Sequence, residues 1–519
     1  MSSKSQRIND LLEIIPPCRR TPAQVPHWFK GKDSSPLTYK LLRAPHSLGE
    51  FNQYQQSLAI WCDNGTLVYV SPCGLDDFPN DRQEYLSLEF GDKSPSIHIV
   101  GRWGPAVART AAFFMELEDI TEARSQFEII NSRSGGRLDF CPAQSLCFTR
   151  LFQGAPARHL YINSLTMSAE QSVVLAAQTQ SIHLTLMNCI FDDWGTAFVD
   201  ALQNRQQSFG SLTIESNTES LSASWEKTPF SSSNLRRFLQ VDTIKHLTLP
   251  AMSGEFALLP FSTKLDQLDY KITFAALLDV DIQDLQIAAR KLSLTISFGT
   301  FPTELILSFL RRVAALGHFI ELKLGFDNHF YDKDSIPACV AEEMSRVIAA
   351  NRNLEVLDLC DYARYLNWGP HLEKLFEGIR DHEGLRVLKL NVSISAFGQH
   401  FSYLRQLLSQ NRNIVVINED GNLYSDGLLI DMLYALNRFY RGLTNLAVHH
   451  FLERRLLVVI ALLEGASTSF PCSALLLSQN VDVLYELVQS IELEEPREDD
   501  NCTSQSILSN NRKRRKTMQ

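Results

Sequence analysis

Apolar and polar positions beyond residue 150 follow a short recurring template. Apolar side chains stand at positions 1, 4 and 6 of a six-residue segment, and mostly polar side chains fill the places between them. Alternation of this kind is typical of a β-strand with one buried face, so the template predicts a series of short strands. The full matches are Phe209/Leu212/Ile214, Ile244/Leu247/Leu249, Phe319/Leu322/Leu324, Leu354/Leu357/Leu359, Leu385/Leu388/Leu390 and Leu443/Leu446/Val448.

Partial matches place further strands between these. Their fourth positions are Leu160, Leu184, Leu268, Leu294 and Ile417. The segments between strands are long enough for a helix, and residues 302–316, 340–350, 371–379 and 401–408 carry apolar side chains at helical spacing. Since each strand–helix unit can bury its apolar faces only against its neighbours, we expect an α/β solenoid with parallel strands on one face and helices on the other.

The sequence Asn-Arg-Asn precedes two of the predicted strands, at residues 351–353 and 411–413. Asparagine tolerates the left-handed backbone conformation that often ends a helix. We therefore expect the helices to end in these two triplets, with an asparagine of each, beginning at Asn351 and Asn411, as a left-handed cap.

The rest of the chain carries other patterns. Residues 1–50 are polar and proline-rich, and we expect a loosely ordered lead-in. Residues 51–150 contain short aromatic and β-branched runs before a helical segment, which predicts a small mixed α/β domain or N-terminal cap. We assign residues 151–449 to the solenoid, 450–492 to a helical C-terminal cap and 493–519 to a disordered tail, first acidic and then basic.

The segments LEVLDL, LRVLKL and IKHLTL, spaced about thirty residues apart with helical connectors, resemble the leucine-rich repeats of the ribonuclease-inhibitor-like class. The resemblance covers roughly residues 155–450. It implies a horseshoe with strands on the concave face and helices on the convex face, used to bind proteins. At the family's ninth position, which holds asparagine or cysteine, this chain has Cys189, and Asp327, Tyr362 and Ser393 stand there in other repeats.

Candidate partner-binding residues lie at positions 3 and 5 of the strands, because these side chains point away from the core. Position 3 is valine on three consecutive predicted strands, which predicts an apolar stripe that anchors a protein partner. Position 5 is charged beside it and should set register and charge preference. The residues are Val356, Val387 and Val416 for the stripe and Lys323, Asp358 and Lys389 for the charges. The alternative is that valine only favours strands and that other segments cover it.

Composition and charge limit the functions to consider. A chain of 519 residues that is 45% hydrophobic and 21% charged should fold, and it is too long for one compact core. Its net charge of -10 gives no general basic field, so we expect no nucleic-acid or membrane partner. The start lacks a secretory signal pattern, and ten scattered cysteines without a CxxC pair favour reduced thiols. We expect a monomer in the cytoplasm, the nucleus or both.

A cluster of five adjacent basic residues stands near the C terminus. It consists of Arg512, Lys513, Arg514, Arg515 and Lys516. Such a run is similar to a nuclear-import signal, which the acidic groove of an import receptor would bind. The alternative is nonspecific contact with an acidic surface.

Catalytic motifs do not occur in the sequence. It contains no HExxH, GxSxG, GxxxxGK[ST] or strand-linked GxGxxG, and the adjacent pair His449–His450 lacks further ligands at metal-binding spacing. We therefore predict a non-enzymatic protein-binding scaffold without catalytic residues, cofactor or metal. Two alternatives are a ubiquitin-ligase substrate adaptor, which would need an F-box near residues 8–16, and an enzyme with dispersed catalytic groups in residues 51–150.

Overall fold

The computed structural model describes residues 11–25, 37–51, 58–71, 83–91, 96–117, 126–131, 136–154, 159–216, 228–278, 280–328, 336–360, 367–446, 457–462 and 470–490. The chain divides into two compact units, Met1–Asp431 and Met432–Gln519. The predicted tail at 493–519, with its basic cluster at 512–516, lies outside the described residues.

Six strands begin the first unit. They are β1 (Leu12–Ile15), β2 (Thr38–Leu41), β3 (Leu58–Trp61), β4 (Thr66–Ser71), β5 (Glu84–Glu89) and β6 (Ser96–Gly101). β1 is antiparallel to β2, β2 is parallel to β3, and β3, β4, β6 and β5 are successive antiparallel neighbours. β5 then pairs with a strand at 126–130, so the same sheet continues into the strands that follow.

Eleven of the described strands run parallel, each beside the next. They are β7 (Gln126–Ile130), β9 (His159–Asn163), β11 (Ile182–Met187), β13 (Gly210–Glu215), β14 (Ile244–Leu249), β15 (Gln267–Thr273), β16 (Lys291–Phe298), β17 (Glu321–Asn328), β18 (Val356–Asp358), β19 (Val387–Lys389) and β20 (Val415–Ile417). Together with β1–β6 they form one long, mostly parallel sheet.

A second, small parallel sheet forms where the chain turns away from the long sheet. Its strands are β8 (Leu138–Asp139), β10 (Leu165–Met167) and β12 (Ile190–Phe191). Before β10 and β12 the chain passes through Ser164 at φ 58° and Asn188 at φ 50°, left-handed conformations that are uncommon outside glycine. Cys189 is buried beside this turn, and its thiol donates to the carbonyl of Ile162 at 3.4 Å. The side chain thereby satisfies a backbone acceptor at the turn.

One helix follows β6, and further helices connect most of the parallel strands. They are α1 (Gly104–Met115), α2 (Leu146–Gly154), α3 (Ala169–Ala176), α4 (Thr196–Gln203), α5 (Ser232–Phe238), α6 (Thr303–Leu316), α7 (Ala338–Ala350), α8 (Leu372–Ile379) and α9 (Ser402–Gln410). The helices expected between residues 302 and 408 are confirmed as α6 to α9. Consecutive helices pack side by side, α6 on α7 and α7 on α8. Among the described helices, none has the length and apolarity needed to cross a membrane.

The core lies between the helices and one face of the sheet. One column of buried side chains runs through the parallel strands, and its members are Leu160, Leu184, Leu212, Leu247, Leu268, Leu292, Leu322, Leu357, Leu388 and Val416. The side chains between them point the other way, onto a face that we call the open face. The α/β architecture is compatible with a repeat solenoid.

Asn351 and Asn411 end α7 and α9, but not as left-handed caps. Their φ values are -93° and -101°, so that expectation is wrong. Both side chains are buried and tie each helix end to the preceding unit. The Asn351 carbonyl oxygen accepts from the backbone N–H of Phe319 at 3.1 Å, and the Asn411 amide donates to the carbonyl of His382 at 3.0 Å. The backbone N–H of each asparagine still donates within its own helix, so the buried side-chain hydrogen bonds add a link from the helix end to the preceding unit.

The parallel sheet ends at β20, where the chain turns back on itself. Leu423 forms an antiparallel bridge with Ile417, and the backbone N–H of Tyr424 donates to the carbonyl of Val416 at 3.1 Å. The strand predicted at Leu443/Leu446/Val448 is wrong, because Leu443 and Leu446 lie in helix α10 (Leu429–Leu446) and Val448 is outside the described residues.

The second unit is helical where it is described. Residues 457–462 are helical, and α11 (Phe470–Gln479) and α12 (Val481–Ser490) follow. A small cluster of Val458, Leu476 and Val483 forms its buried core.

Candidate functional site

The candidate site lies on the open face of the last strands of the long sheet. Val356 on β18 is in register with Val387 on β19, and Val387 is in register with Val415 on β20. Neighbouring strands are about 4.8 Å apart, so these half-buried side chains form a continuous line. We call Val356, Val387 and Val415 the aliphatic row.

Val416 does not belong to this line, and the sequence-based assignment of its position was wrong. Its side chain is fully buried and in register with Leu388 in the core column. Two residues separate Leu354 from the core position Leu357 in β18, whereas only one separates Ile414 from Val416. Because strand side chains alternate between faces, this one-residue difference exchanges the inward and outward sets.

Two further apolar residues extend the site, and sequence reasoning missed both. Ile417 lies on the open face in register with Lys389, and Leu423 pairs beside it with 40% of its surface exposed. The run of four apolar residues at 414–417 shows no alternation, so it gives no sign of which side chains face outward. Leu423 comes to the sheet only through the reversal after β20.

The three predicted charged residues lie together in one line beside the aliphatic row. Lys323, Asp358 and Lys389 are mutually in register on β17, β18 and β19. Asp358 is only 7% exposed, and its Oδ1 accepts from the backbone N–H of Cys360 at 2.9 Å. The Lys389 Nζ lies 4.0 Å from Asp358 Oδ2, so the attraction is Coulombic without a hydrogen bond of normal length.

Two further lysines on the open face are compensated by carboxylates on other strands. Lys291 pairs with Glu321, and the Lys271 Nζ lies 2.6 Å from Asp327 Oδ2. These pairs cross between strands and leave the aliphatic row as the apolar part of a largely charge-balanced surface. Each such pair contributes little to stability, but the pairs determine which charges an approaching partner meets.

Strands β9, β11 and β13 give the open face a different chemistry. His159 bonds to the Thr185 hydroxyl at 3.0 Å, and His183 bonds to the Ser211 hydroxyl at 2.7 Å. Burial, with the nearby His183 second, lowers the pKa of His159. These imidazoles are thus held by hydroxyl neighbours. Over the described residues, no three His, Cys, Asp or Glu side chains are grouped for metal binding.

Cys360 is the thiol nearest the charged line. It is buried, and burial together with Asp358 raises its pKa to about 12. A thiol with that pKa stays protonated at neutral pH and is a poor nucleophile. The chemistry at the candidate site is therefore apolar contact flanked by charge.

No protein-family model and no curated protein matches this chain. The resemblance to leucine-rich repeats consequently rests on the sequence template and on the sheet itself.

The register of β20 can be tested by a matched pair of substitutions. Val416→Ser removes buried methyl groups and buries a hydroxyl, so the free energy of unfolding should fall by about 2 to 3 kcal/mol. Val415→Ser changes an open-face side chain and should cost under about 1 kcal/mol. Denaturant titration of both variants checks this. A larger cost for Val415→Ser would mean that the strand has the opposite register, and an equal cost would contradict the assignment.

Proposed function

We propose that this protein is a non-enzymatic scaffold of the ribonuclease-inhibitor-like leucine-rich repeat class that recognises a protein partner on its open face. The aliphatic row would anchor the partner, with Ile417 and Leu423 widening the apolar contact. The observation that carries the proposal is the register of three valines on adjacent strands, which line up on the open face and stay half-buried in the part of the chain that the structure describes. The buried centres of protein interfaces are more apolar than the rest of the surface, and a polar rim surrounds them.

The repeat class is supported by the agreement of two independent features. The sequence template recurs about every thirty residues, and the strands that it marks lie side by side in a parallel sheet with helical connections. Under this proposal the open face is the concave face of the horseshoe. Nuclear import through Arg512–Lys516 remains a separate proposal that rests on the sequence alone.

The two alternatives have less support. Residues 12–15, where an F-box would require helix, form strand β1 paired with residues 38–41. In the described residues of β3–β6, side chains on both faces of the sheet are buried, with Val68 and Val70 on one face and Tyr69 and Tyr85 on the other. Dispersed catalytic groups would need an accessible cleft in which a substrate can bind. The accessible open face therefore favours the scaffold over these two alternatives.

The proposal predicts that partner binding depends on the aliphatic row. The full-length double variant Val387→Ser/Val415→Ser should lose at least about tenfold in affinity, because two apolar anchors are removed at little cost to folding. Partners captured by the wild-type chain from native lysate, identified by mass spectrometry and then measured with purified components, provide the readout.

A matched control is Val173→Ser, which changes a valine that is 37% exposed on helix α3. This variant should bind like the wild type. Equal binding by the folded double variant would remove the open face from the proposal.

A further inference from the structure

The open face also indicates the charge of the segment that it binds, an inference that rests on the proposed function. Three acidic groups near the aliphatic row already have partners within the face. Glu321 is paired with Lys291, and Glu419 accepts from the Asn391 amide at 3.1 Å. Asp358 is nearly buried and accepts the backbone N–H of Cys360. A basic partner would have to compete for carboxylates that are already engaged.

Lys389 differs from these groups. Its ammonium lies 4.0 Å from Asp358, beyond hydrogen-bond distance, and 37% of its side chain is exposed. An ammonium group carries three N–H donors, and Asp358 at this distance satisfies none of them with normal geometry. Within the part of the chain that the structure describes, Lys389 therefore retains donors for an acceptor that approaches from outside the face.

The position of Lys389 couples this charge to the apolar contact. It follows Val387 by two residues on the same strand, so both side chains point to the open face. Ile417 is its in-register neighbour on β20. An acceptor bound to Lys389 would consequently lie within one or two side chains of the aliphatic contact.

We propose that the open face binds a protein segment in which aliphatic or aromatic side chains stand beside carboxylates. The apolar side chains pack on the aliphatic row and Ile417, and a carboxylate accepts from the Lys389 ammonium. Charge-assisted hydrogen bonds of this kind are strengthened when the surrounding apolar contact excludes water. Lys389 is in this account the residue that selects the sign of the partner's charge.

A peptide selection tests the proposal without knowledge of the natural partner. Short random peptides displayed on phage are selected on the full-length chain, and selected peptides are synthesised for affinity measurement. We expect enrichment of peptides that combine Leu, Ile, Val or Phe with Asp or Glu. Lys389→Glu should weaken their binding at least about tenfold, and replacing the peptide carboxylate with lysine should restore binding to that variant.

The control is Lys374→Glu, which reverses a charge on helix α8 that is paired with Glu342 at 2.6 Å. It should leave peptide affinity unchanged. Enrichment of basic or uncharged peptides, or affinity that does not respond to Lys389→Glu, would overturn the charge assignment. If Val387→Ser/Val415→Ser still abolished binding in that case, the proposed function would survive. If selected peptides also ignored the valine substitutions, the proposed function itself would fail.

Discussion

Replacing Arg205 by alanine should lower the free energy of unfolding by about 3 to 5 kcal/mol. Arg205 follows helix α4 and is only 9% exposed. Its guanidinium donates to five backbone carbonyls, those of Ala176, Gln178, Gln180, Gln207 and Ser208. Three of these carbonyls belong to the preceding unit, where α3 ends and the chain approaches β11. Alanine would leave the carbonyls of two consecutive units without their donor.

Two other variants separate this role from a general effect of losing an arginine. Arg237→Ala removes an exposed arginine that pairs with Asp200 on the helix surface, and its cost should stay under about 1 kcal/mol. Arg205→Lys keeps the charge but loses the fork of donors, so its cost should fall between the two. Denaturant unfolding followed by circular dichroism gives all three values. A cost for Arg205→Ala no larger than that for Arg237→Ala would contradict the role assigned to Arg205.

Acidification should weaken the N-terminal part of the sheet through His98 on β6. The side chain is 2% exposed, and its Nδ1 lies 2.8 Å from the Tyr85 hydroxyl. Burial lowers the pKa of His98 from 6.5 to about 4. Between these values the unfolded chain binds the proton and the folded chain does not. The contribution to stability is therefore complete above pH 6.5 and decreases by about 3 kcal/mol as the pH falls to about 4.

The substitution His98→Gln tests this dependence because glutamine does not titrate. Denaturant titrations of both proteins between pH 7 and pH 4 should show the wild-type stability falling by about 3 kcal/mol more than that of the variant. Parallel stability curves for wild type and His98→Gln would contradict the prediction.

The sequence template predicts most of the strands because each strand buries alternate apolar side chains against its neighbours. An error of two residues in the core position leaves the predicted faces of a strand unchanged. The template puts the core position of β16 at Leu294, whereas Leu292 aligns with Leu322, and both residues are buried. An error of one residue exchanges the inward-facing and outward-facing side chains of the strand. This happens at Val416, where four consecutive apolar residues show no alternation.

The charged part of the candidate site could be predicted, but its environment could not. Lys323, Asp358 and Lys389 are 35 and 31 residues apart, and the repeats bring them into one line. The burial of Asp358 depends on the bond to Cys360, which leaves no trace in the pattern. Arg205 is similarly hidden, since a lone arginine in a polar segment gives no sign of the carbonyls around it.

Site-specific photo-cross-linking tests the central claim most directly, namely that the open face is the surface that binds a protein partner. A photoreactive amino acid is placed in the full-length chain at Val387 on the open face or at Val173 on helix α3, and each protein is irradiated in native lysate. We predict a discrete cross-linked partner from position 387 that disappears when Val415→Ser is added, and no such product from position 173. Cross-linking of the same partner from position 173, with none from position 387, would contradict recognition on the open face.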